Sequence, residues 1–207
     1  MDFRALLFMA PGILFALTIH EYCHAWTANR LGDPTARLQG RLSLNPIAHL
    51  DLFGTICFVL AGFGWGKPVP VNPYNFKNPR KGDMLVSFAG PASNFISAFV
   101  LGIIFRLVYE FGILPSYLNM MLLFSIRISL LLAFFNLIPL FPLDGSHILK
   151  GLLPYEYVAS YENLSRYSPF ILLGLVLLGR QGGVSILGSI LGPPVNFFSR
   201  LFTGIHF

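Results

Sequence analysis

Long apolar stretches alternate with short polar connections along this chain of 207 residues. The first stretch covers residues 3–26, and two further long ones cover residues 84–109 and 117–143. Each is at least as long as the roughly 20 apolar residues that a helix needs to cross a bilayer. Two weaker stretches follow at residues 169–178 and 184–202. This pattern predicts an all-α polytopic membrane protein, a bundle of about four to six transmembrane helices.

A shorter apolar stretch at residues 50–65 contains three glycines and lies between two groups of basic residues. Arg37 and Arg41 precede it, and Lys77 and Lys81 follow it. Because basic connections favour the cytoplasmic side, a segment that crossed the membrane here would place the two groups on opposite sides. We therefore expect a short re-entrant or extended segment near residues 50–73, with a spanning helix as the alternative.

The same charge distribution orients the helices. If both basic groups are cytoplasmic, the first span ends in the cytoplasm near residue 29, the second long span runs outward, and the third returns. The C-terminal ends of the first and third spans then reach the same leaflet. We predict a multi-pass protein of the cell membrane whose active site lies near the cytoplasmic face.

Composition supports a membrane protein and argues against nucleic-acid binding. Charged residues make up 11% of the chain, against about 25% in soluble domains. The net charge of +5 comes from a few connecting segments, where the preference of basic residues for the cytoplasmic side explains it. We expect the lipid bilayer as the surrounding partner and no nucleic acid.

The first span contains the sequence His-Glu-Tyr-Cys-His at residues 20–24. Ionisable side chains at membrane depth are costly, so they are rare and usually functional. His20 and His24 are four residues apart, which places them on one face of a helix where both can bind one metal ion. Glu21 lies one position further round and can act on water without being a ligand. The spacing predicts one zinc ion per chain, with Glu21 as a catalytic group.

A catalytic zinc ion usually has three protein ligands, so a third must come from elsewhere in the chain. The acidic residues within or beside the long spans are Glu110 and Asp144. Glu110 lies at the opposite end of the predicted bundle and is spaced to pair with Arg106 on one helix face. Asp144 follows two helix-breaking prolines and reaches the depth of the histidines. Asp144 is the predicted third ligand, and an aspartate that forms a turn or caps a helix is the alternative.

Three motifs occur in order on separate predicted spans. They are His-Glu-Tyr-Cys-His at 20–24, Ala-Gly-Pro-Ala-Ser-Asn at 89–94, and Asn-Leu-Ile-Pro-Leu-Phe-Pro-Leu-Asp-Gly at 136–145. Together they resemble the site-2 protease family of intramembrane zinc metalloproteases. The stretch Gly-Lys-Pro-Val-Pro-Val-Asn-Pro at 66–73 is similar to the compact prokaryotic branch, whose members lack a PDZ domain.

The resemblance implies specific roles for residues that match the family motifs. His20, His24 and Asp144 match the zinc ligands, and Glu21 matches the catalytic glutamate. Asn136 matches an asparagine beside the active site that engages the substrate or the developing oxyanion. Its amide suits that role chemically, although it could instead bond backbone freed by the prolines that follow it.

Two further features are expected near the substrate. Asn94 could support the metal site or a water path, or could serve only helix packing. Lys67, Pro68 and Val69 belong to a segment whose valines favour extended backbone and whose prolines prevent a helix. An extended segment can hold a peptide by main-chain pairing, so we expect it to line the substrate path. An ordinary proline-rich loop is the alternative.

The sequence therefore predicts a zinc metalloendopeptidase core at residues 1–150, followed by membrane-associated helices at residues 151–207. Its substrates would be transmembrane proteins, cleaved in or near their membrane spans in regulated intramembrane proteolysis. The alternative is a membrane metal-binding or divalent-metal transport protein without protease activity. Transporters often show repeat symmetry and a site at mid-membrane, whereas this sequence has no visible repeat and its predicted site is off-centre.

Overall fold

The computed structural model describes residues 3–62, 64–181 and 186–205 of the chain. These residues form helices joined by turns, together with two short 3-10 helices, and contain no β-strand. The all-α prediction is therefore confirmed for this part of the chain. The helices are α1 (Phe3–Arg30), α2 (Thr35–Leu38), α3 (Leu52–Ala61), α4 (Pro79–Glu110), α5 (Ser116–Asn136), α6 (Asp144–Leu152), α7 (Tyr155–Ser165), α8 (Ser168–Gln181) and α9 (Ile186–Thr203), and the 3-10 helices are Pro46–His49 and Pro73–Asn75.

Two of the described helices, α4 and α5, are long and apolar enough to cross a membrane. The larger number of spans stays a prediction. α5 ends at Asn136, seven residues before the end of the predicted span. Pro139 and Pro142 explain the difference, because proline supplies no main-chain donor and its ring clashes with the preceding helical turn.

Helices α1, α4 and α5 pack against one another, and α9 packs against α4 and α5. The buried core between α4, α5 and α9 is aromatic and aliphatic, and it includes Phe105, Ile126, Leu130 and Phe202. In a bilayer such side chains stabilise the helix contact through close packing, because lipid tails are as apolar as the core. α9 thus belongs to the same packed unit as the predicted protease core.

Arg106 links α4 to α9 through hydrogen bonds that the sequence pattern did not indicate. Its Nε donates to the carbonyl oxygen of Phe202 at 2.8 Å, and its Nη2 donates to that of Leu201. The last carbonyls of a helix have no partner within that helix and attract cations. Arg106 therefore binds the end of α9, and the predicted ion pair with Glu110 is wrong.

The two ends of the loop at residues 50–66 lie side by side. Leu50 and Gly66 form an antiparallel bridge, and the main-chain nitrogen of Lys67 donates to the carbonyl of His49 at 2.8 Å. Between them, α3 has ten residues, about 15 Å of helix, which is half the thickness of a bilayer core. A helix of this length is too short to span the bilayer core, so the spanning alternative is not supported. The chain runs out and back to one place and continues in extended form, and its entry into a membrane stays a prediction.

Contacts between α4 and α6 position the first residue of α6, which is Asp144. His147 Nδ1 lies 2.8 Å from Asp83 Oδ2, and Arg80 Nε donates to the carbonyl of Lys150 at 2.9 Å. Both contacts join the N-terminal part of α4 to α6. They hold Asp144 against the bundle although α6 is only nine residues long.

Gly102 is required for the close approach of α4 and α9. A Cβ atom there would lie 2.6 Å from the Cβ of Phe202 and 3.0 Å from its carbonyl oxygen. We expect Gly102→Ala to lower the free energy of unfolding by about 1–3 kcal/mol, as overpacking does in other cores. Thermal unfolding in detergent measures the change.

Gly192→Ala is the matched control, because a Cβ atom at Gly192 meets nothing within 4 Å. Alanine favours a helix over glycine by up to about 1 kcal/mol, so the control variant should be as stable as the parent or more stable. An unchanged or raised stability of Gly102→Ala would contradict the packing argument.

Candidate metal centre

Three side chains converge where α1 meets the start of α6. His20 and His24 lie one turn apart on α1, and their Nε2 atoms are 3.0 Å apart. Asp144 Oδ2 lies 3.1 Å from Nε2 of His20 and 3.3 Å from Nε2 of His24. Both histidines are buried. The structure thus brings together the three predicted ligands, which come from two elements separated by 120 residues of chain.

Residues of α4 lie behind both imidazoles. His24 Nδ1 is 2.7 Å from the carbonyl oxygen of Val86, and His20 Nδ1 is 3.1 Å from the side-chain amide of Asn94. A histidine that donates Nδ1–H to such an acceptor presents the lone pair of Nε2 to a metal ion. Asn94 Oδ1 is buried without a hydrogen-bond partner in the described structure. If the amide of Asn94 is flipped by 180°, its oxygen and nitrogen exchange places and Oδ1 accepts from His20 Nδ1.

The surroundings of Gly90 explain why the Ala-Gly-Pro motif has glycine at this position. A Cβ atom at this position would lie 2.7 Å from Cε1 of His20 and would also clash with the ring of His24. Only glycine lets α4 approach the two imidazoles so closely. The motif therefore serves the metal centre through a missing side chain at Gly90 and a buried amide at Asn94.

The three converging atoms suit a bound cation. When both imidazoles donate from Nδ1, each Nε2 carries a lone pair, and Asp144 Oδ2 is buried with no hydrogen-bond donor. Three adjacent acceptors without a proton between them repel one another unless a positive charge joins them. Zinc bound tetrahedrally at about 2.0–2.2 Å places ligand atoms about 3.3–3.6 Å apart. The observed separations of 3.0, 3.1 and 3.3 Å lie within a few tenths of an ångström of that range.

Glu21 lies beside this cluster and points toward the extended segment at residues 66–72. Its Oε2 accepts a hydrogen bond from the main-chain nitrogen of Val69 at 3.2 Å. The carbonyls of Lys67 and Pro68 accept hydrogen bonds from Arg41 at 2.5 and 3.0 Å. The predicted substrate-path residues therefore do lie next to the predicted catalytic glutamate.

Comparison with known proteins identifies the family. Residues 113–178 match the family model described as peptidase family M50. YwhC of Bacillus subtilis (strain 168), which is named as a proposed zinc metalloprotease, is 40% identical over 198 residues, or 93% of this chain and 90% of the relative. The chain belongs to peptidase family M50, the site-2 proteases.

Two other relatives of this M50 peptidase are more distant. Rip2 of Mycobacterium tuberculosis (strain H37Rv), also named as a proposed zinc metalloprotease, is 30% identical over 178 residues, covering 83% of this chain and 67% of the relative. Zinc metalloprotease MJ0392 of Methanocaldococcus jannaschii is 25% identical over 179 residues, covering 86% of this chain and 43% of the relative. No solved structure matches the chain.

Asn136 is not joined to the cluster by hydrogen bonds. It is the last residue of α5, and its Nδ2 donates to the carbonyl of Leu132 at 3.0 Å within that helix. In the residues that the structure describes, no hydrogen bond connects it to Glu21 or to the three candidate ligands. Its catalytic role stays a prediction for this M50 peptidase.

Asp33, which sequence reasoning missed, holds the far end of the extended segment. Its Oδ2 accepts from the main-chain nitrogen of Asn72 at 2.7 Å, and its Oδ1 accepts from Asn75 Nδ2 at 2.7 Å and from both donors of Thr35. Asp33-Pro34-Thr35 after the end of α1 is a turn-forming pattern, typical of an aspartate that bonds nearby backbone. That signal indicates the local turn, but not the bonds to residues 72 and 75.

Removal of Asp144 should remove the metal. In Asp144→Ala only two ligands remain, and we expect zinc affinity to fall by roughly 100-fold or more, since even residues behind the ligands contribute about 10–100-fold. Metal analysis after dialysis against a graded zinc buffer measures the loss. Glu156→Gln is the control, because it changes an exposed carboxylate on α7 and should bind zinc like the parent. Equal zinc affinity in Asp144→Ala and the parent would exclude Asp144 as a ligand.

Stability should depend on the ionisation of Asp33. Burial alone would raise the pKa of this carboxyl, but hydrogen bonds donated by Thr35, Asn72 and Asn75 lower it below its usual value. A lowered folded-state pKa gives stability that is complete above the ordinary value near 4. That contribution is lost as the pH falls through the lowered pKa.

We therefore expect Asp33→Asn to be less stable than the parent by about 1–3 kcal/mol at neutral pH, with the difference shrinking toward pH 3. Thermal unfolding across the acid range measures it. Glu156→Gln, which changes an exposed carboxylate, should leave the parent profile unchanged. A difference between parent and Asp33→Asn that stays constant with pH would contradict the assignment.

Proposed function

We propose that this M50 peptidase is an intramembrane zinc endopeptidase, with one zinc ion per chain held by His20, His24 and Asp144. The observation that carries the proposal is the placement of Glu21, a buried carboxylate directly beside three converging acceptors. The names of the relatives as zinc metalloproteases support zinc as the ion.

Each group at the site has a separate role in hydrolysis. When bound, zinc supplies a Lewis acid that polarises the scissile carbonyl and lowers the pKa of water. Glu21 takes a proton from the attacking water and passes it to the leaving nitrogen. Val69 N–H donates to Oε2 of this carboxylate, and we assign proton transfer to Oε1, the oxygen that does not share this donor. The contacts of Val86 and Asn94 keep the imidazoles in fixed orientations throughout.

Asn136 completes the proposed machinery from the end of α5. Its Nδ2 is a neutral donor that can stabilise negative charge on the carbonyl oxygen of the substrate. One of its two N–H groups donates to the carbonyl of Leu132 in this structure. The second N–H group can donate to the substrate while that bond is kept.

The proposed substrate is a transmembrane segment of another protein, bound in extended form. A peptide bond inside a helix is shielded, so cleavage requires local unwinding. In the described residues, Val69 C=O and Val71 N–H make no hydrogen bond, so both are available for main-chain pairing. This extended segment lies next to Glu21, where a paired peptide would present its carbonyl to the metal centre.

The membrane arrangement belongs to the same proposal. We infer a multi-pass protein of the cell membrane with four to six spans, of which α4 and α5 satisfy the length and apolarity requirements. Arg30, Arg37 and Arg80 lie at the same end of the bundle as the metal centre, which supports a cytoplasmic location for that end. Residues 1–150 form the catalytic core, and residues 151–207 supply helices that include the supporting α9.

The decisive variant is Glu21→Gln. It keeps an oxygen that can accept from Val69 N–H but removes the base, so we expect zinc content to be retained while cleavage falls by about 100- to 10,000-fold. The measurement is cleavage of single-span membrane proteins in liposomes, together with metal analysis. Glu156→Gln, an exposed carboxylate on α7, should cleave like the parent.

Two outcomes would contradict the proposal. Equal cleavage by the parent and Glu21→Gln would mean that the glutamate is not the base. Bound zinc without cleavage of any substrate, together with zinc flux across the liposome membrane, would favour the divalent-metal transport alternative.

A further inference from the structure

Arg41 is a buried cation whose partners are main-chain carbonyls. Its side chain is 6% exposed. Nη1 donates to the carbonyl of Pro68 at 3.0 Å and Nη2 to that of Lys67 at 2.5 Å. Its own main-chain nitrogen donates to the carbonyl of Ala36 at 2.8 Å, so both ends of the residue are held. Arg41 therefore ties the connection after α2 to the extended segment.

The chemistry of this contact is specific to arginine. A guanidinium group is a planar fork that can bind two neighbouring acceptors at once, whereas a lysine ammonium is a single point of charge. Two successive carbonyls determine both the position and the rotation of a peptide segment. Arg41 consequently sets the orientation of the chain at residues 67–68 and of the amide that follows.

A buried charge without an adjoining carboxylate is costly to keep. Burial lowers the pKa of Arg41, and the negative charge of Glu21 raises it, so the two groups interact across the segment. Nε of Arg41 is buried without a hydrogen-bond partner among the described residues.

Val69 is the residue through which Arg41 reaches Glu21. The segment is held at one end by Lys67 N–H on the carbonyl of His49 and at the other by Asn72 N–H on Asp33. Pro68 and Pro70 have no N–H group, so Val69 supplies the main-chain donor between them. That donor binds Glu21 Oε2 at 3.2 Å, a long contact that a small shift of the segment would break.

We propose that Arg41 is a positioning residue for peptide hydrolysis, which holds Val69 N–H against Glu21 Oε2 and so fixes which carboxylate oxygen faces the metal centre. This inference rests on the proposed function for its effect on catalysis. The metal ligands are supported by different groups, namely Val86 and Asn94 of α4. Loss of Arg41 therefore alters the base and spares the metal.

The first test is a series at position 41 in the full-length protein. We expect Arg41→Gln to lower kcat by about 10- to 100-fold, the usual effect of displacing a catalytic group by an ångström or less. Because the contact acts on the base, kcat and kcat/KM should fall together, with zinc content unchanged. Arg41→Lys should recover only part of the loss. Arg37→Gln, at an exposed arginine on α2, is the control and should behave like the parent.

The second test removes the donor itself. Val69→Pro deletes the N–H group between two prolines that already favour extended backbone, and Val69→Ala keeps it as the matched control. If Arg41 acts through this donor, the double variant Arg41→Gln/Val69→Pro should be no slower than the slower single variant, which is full coupling. Independent, multiplying losses would overturn the inference.

The third test does not depend on protease activity. Hydrogen–deuterium exchange of the Val69 amide should be about tenfold or more faster in Arg41→Gln than in the parent, since hydrogen bonds to charged groups are worth roughly that factor. Arg37→Gln should leave the exchange rate of this amide unchanged.

Equal exchange in Arg41→Gln and the parent would overturn the inference. A kcat that rises in Arg41→Gln would also overturn it, because the segment would then restrain Glu21. Equal cleavage by the parent and Glu21→Gln, together with faster exchange in Arg41→Gln, would contradict the proposed protease function. It would leave in place the inference that Arg41 holds Val69 N–H against Glu21.

Discussion

The mutual repulsion of three buried electron-pair donors constrains this molecule throughout. His20, His24 and Asp144 bring their acceptor atoms within 3.0–3.3 Å inside a bundle of apolar helices, an arrangement that is unfavourable unless a cation joins them. Every neighbouring element serves to hold it. α4 needs glycine at position 90 to approach the imidazoles, and α6 is tied to α4 so that its first residue reaches the histidines.

Around that centre, the polar connections between helices position side chains of the candidate site as the helices do. The extended segment at residues 66–72 is attached at three places, to His49, Arg41 and Asp33. It thereby brings one main-chain donor to Glu21. In the proposed function, this contact orientates the carboxylate before substrate arrives, which is how a site avoids reorganisation during the reaction. In the proposed function, the main-chain groups of this segment that make no hydrogen bond among the described residues pair with an extended substrate.

The far side of the bundle shows how a membrane-type fold uses helix ends. Arg106 lies near the C-terminal end of α4, and its guanidinium donates to the last carbonyls of α9. α9 in turn packs Phe202 against Gly102 and the core beside Phe105. The C-terminal helix therefore stabilises α4, the helix that also supports both imidazoles.

Local spacing in the sequence determined the helices, the pair His20 and His24, and the adjacent Glu21, because the helical period alone places such residues together. The predicted depth of the acidic residues and the motif order indicated Asp144, and the charge distribution favoured a segment at residues 50–65 that returns to the side from which it leaves. Only the tertiary structure decided the roles of Arg41, Asp33 and Arg106. These side chains bind main-chain atoms 26 or more residues away, and a main-chain carbonyl or amide is the same at every position, so no residue pattern marks it as a partner.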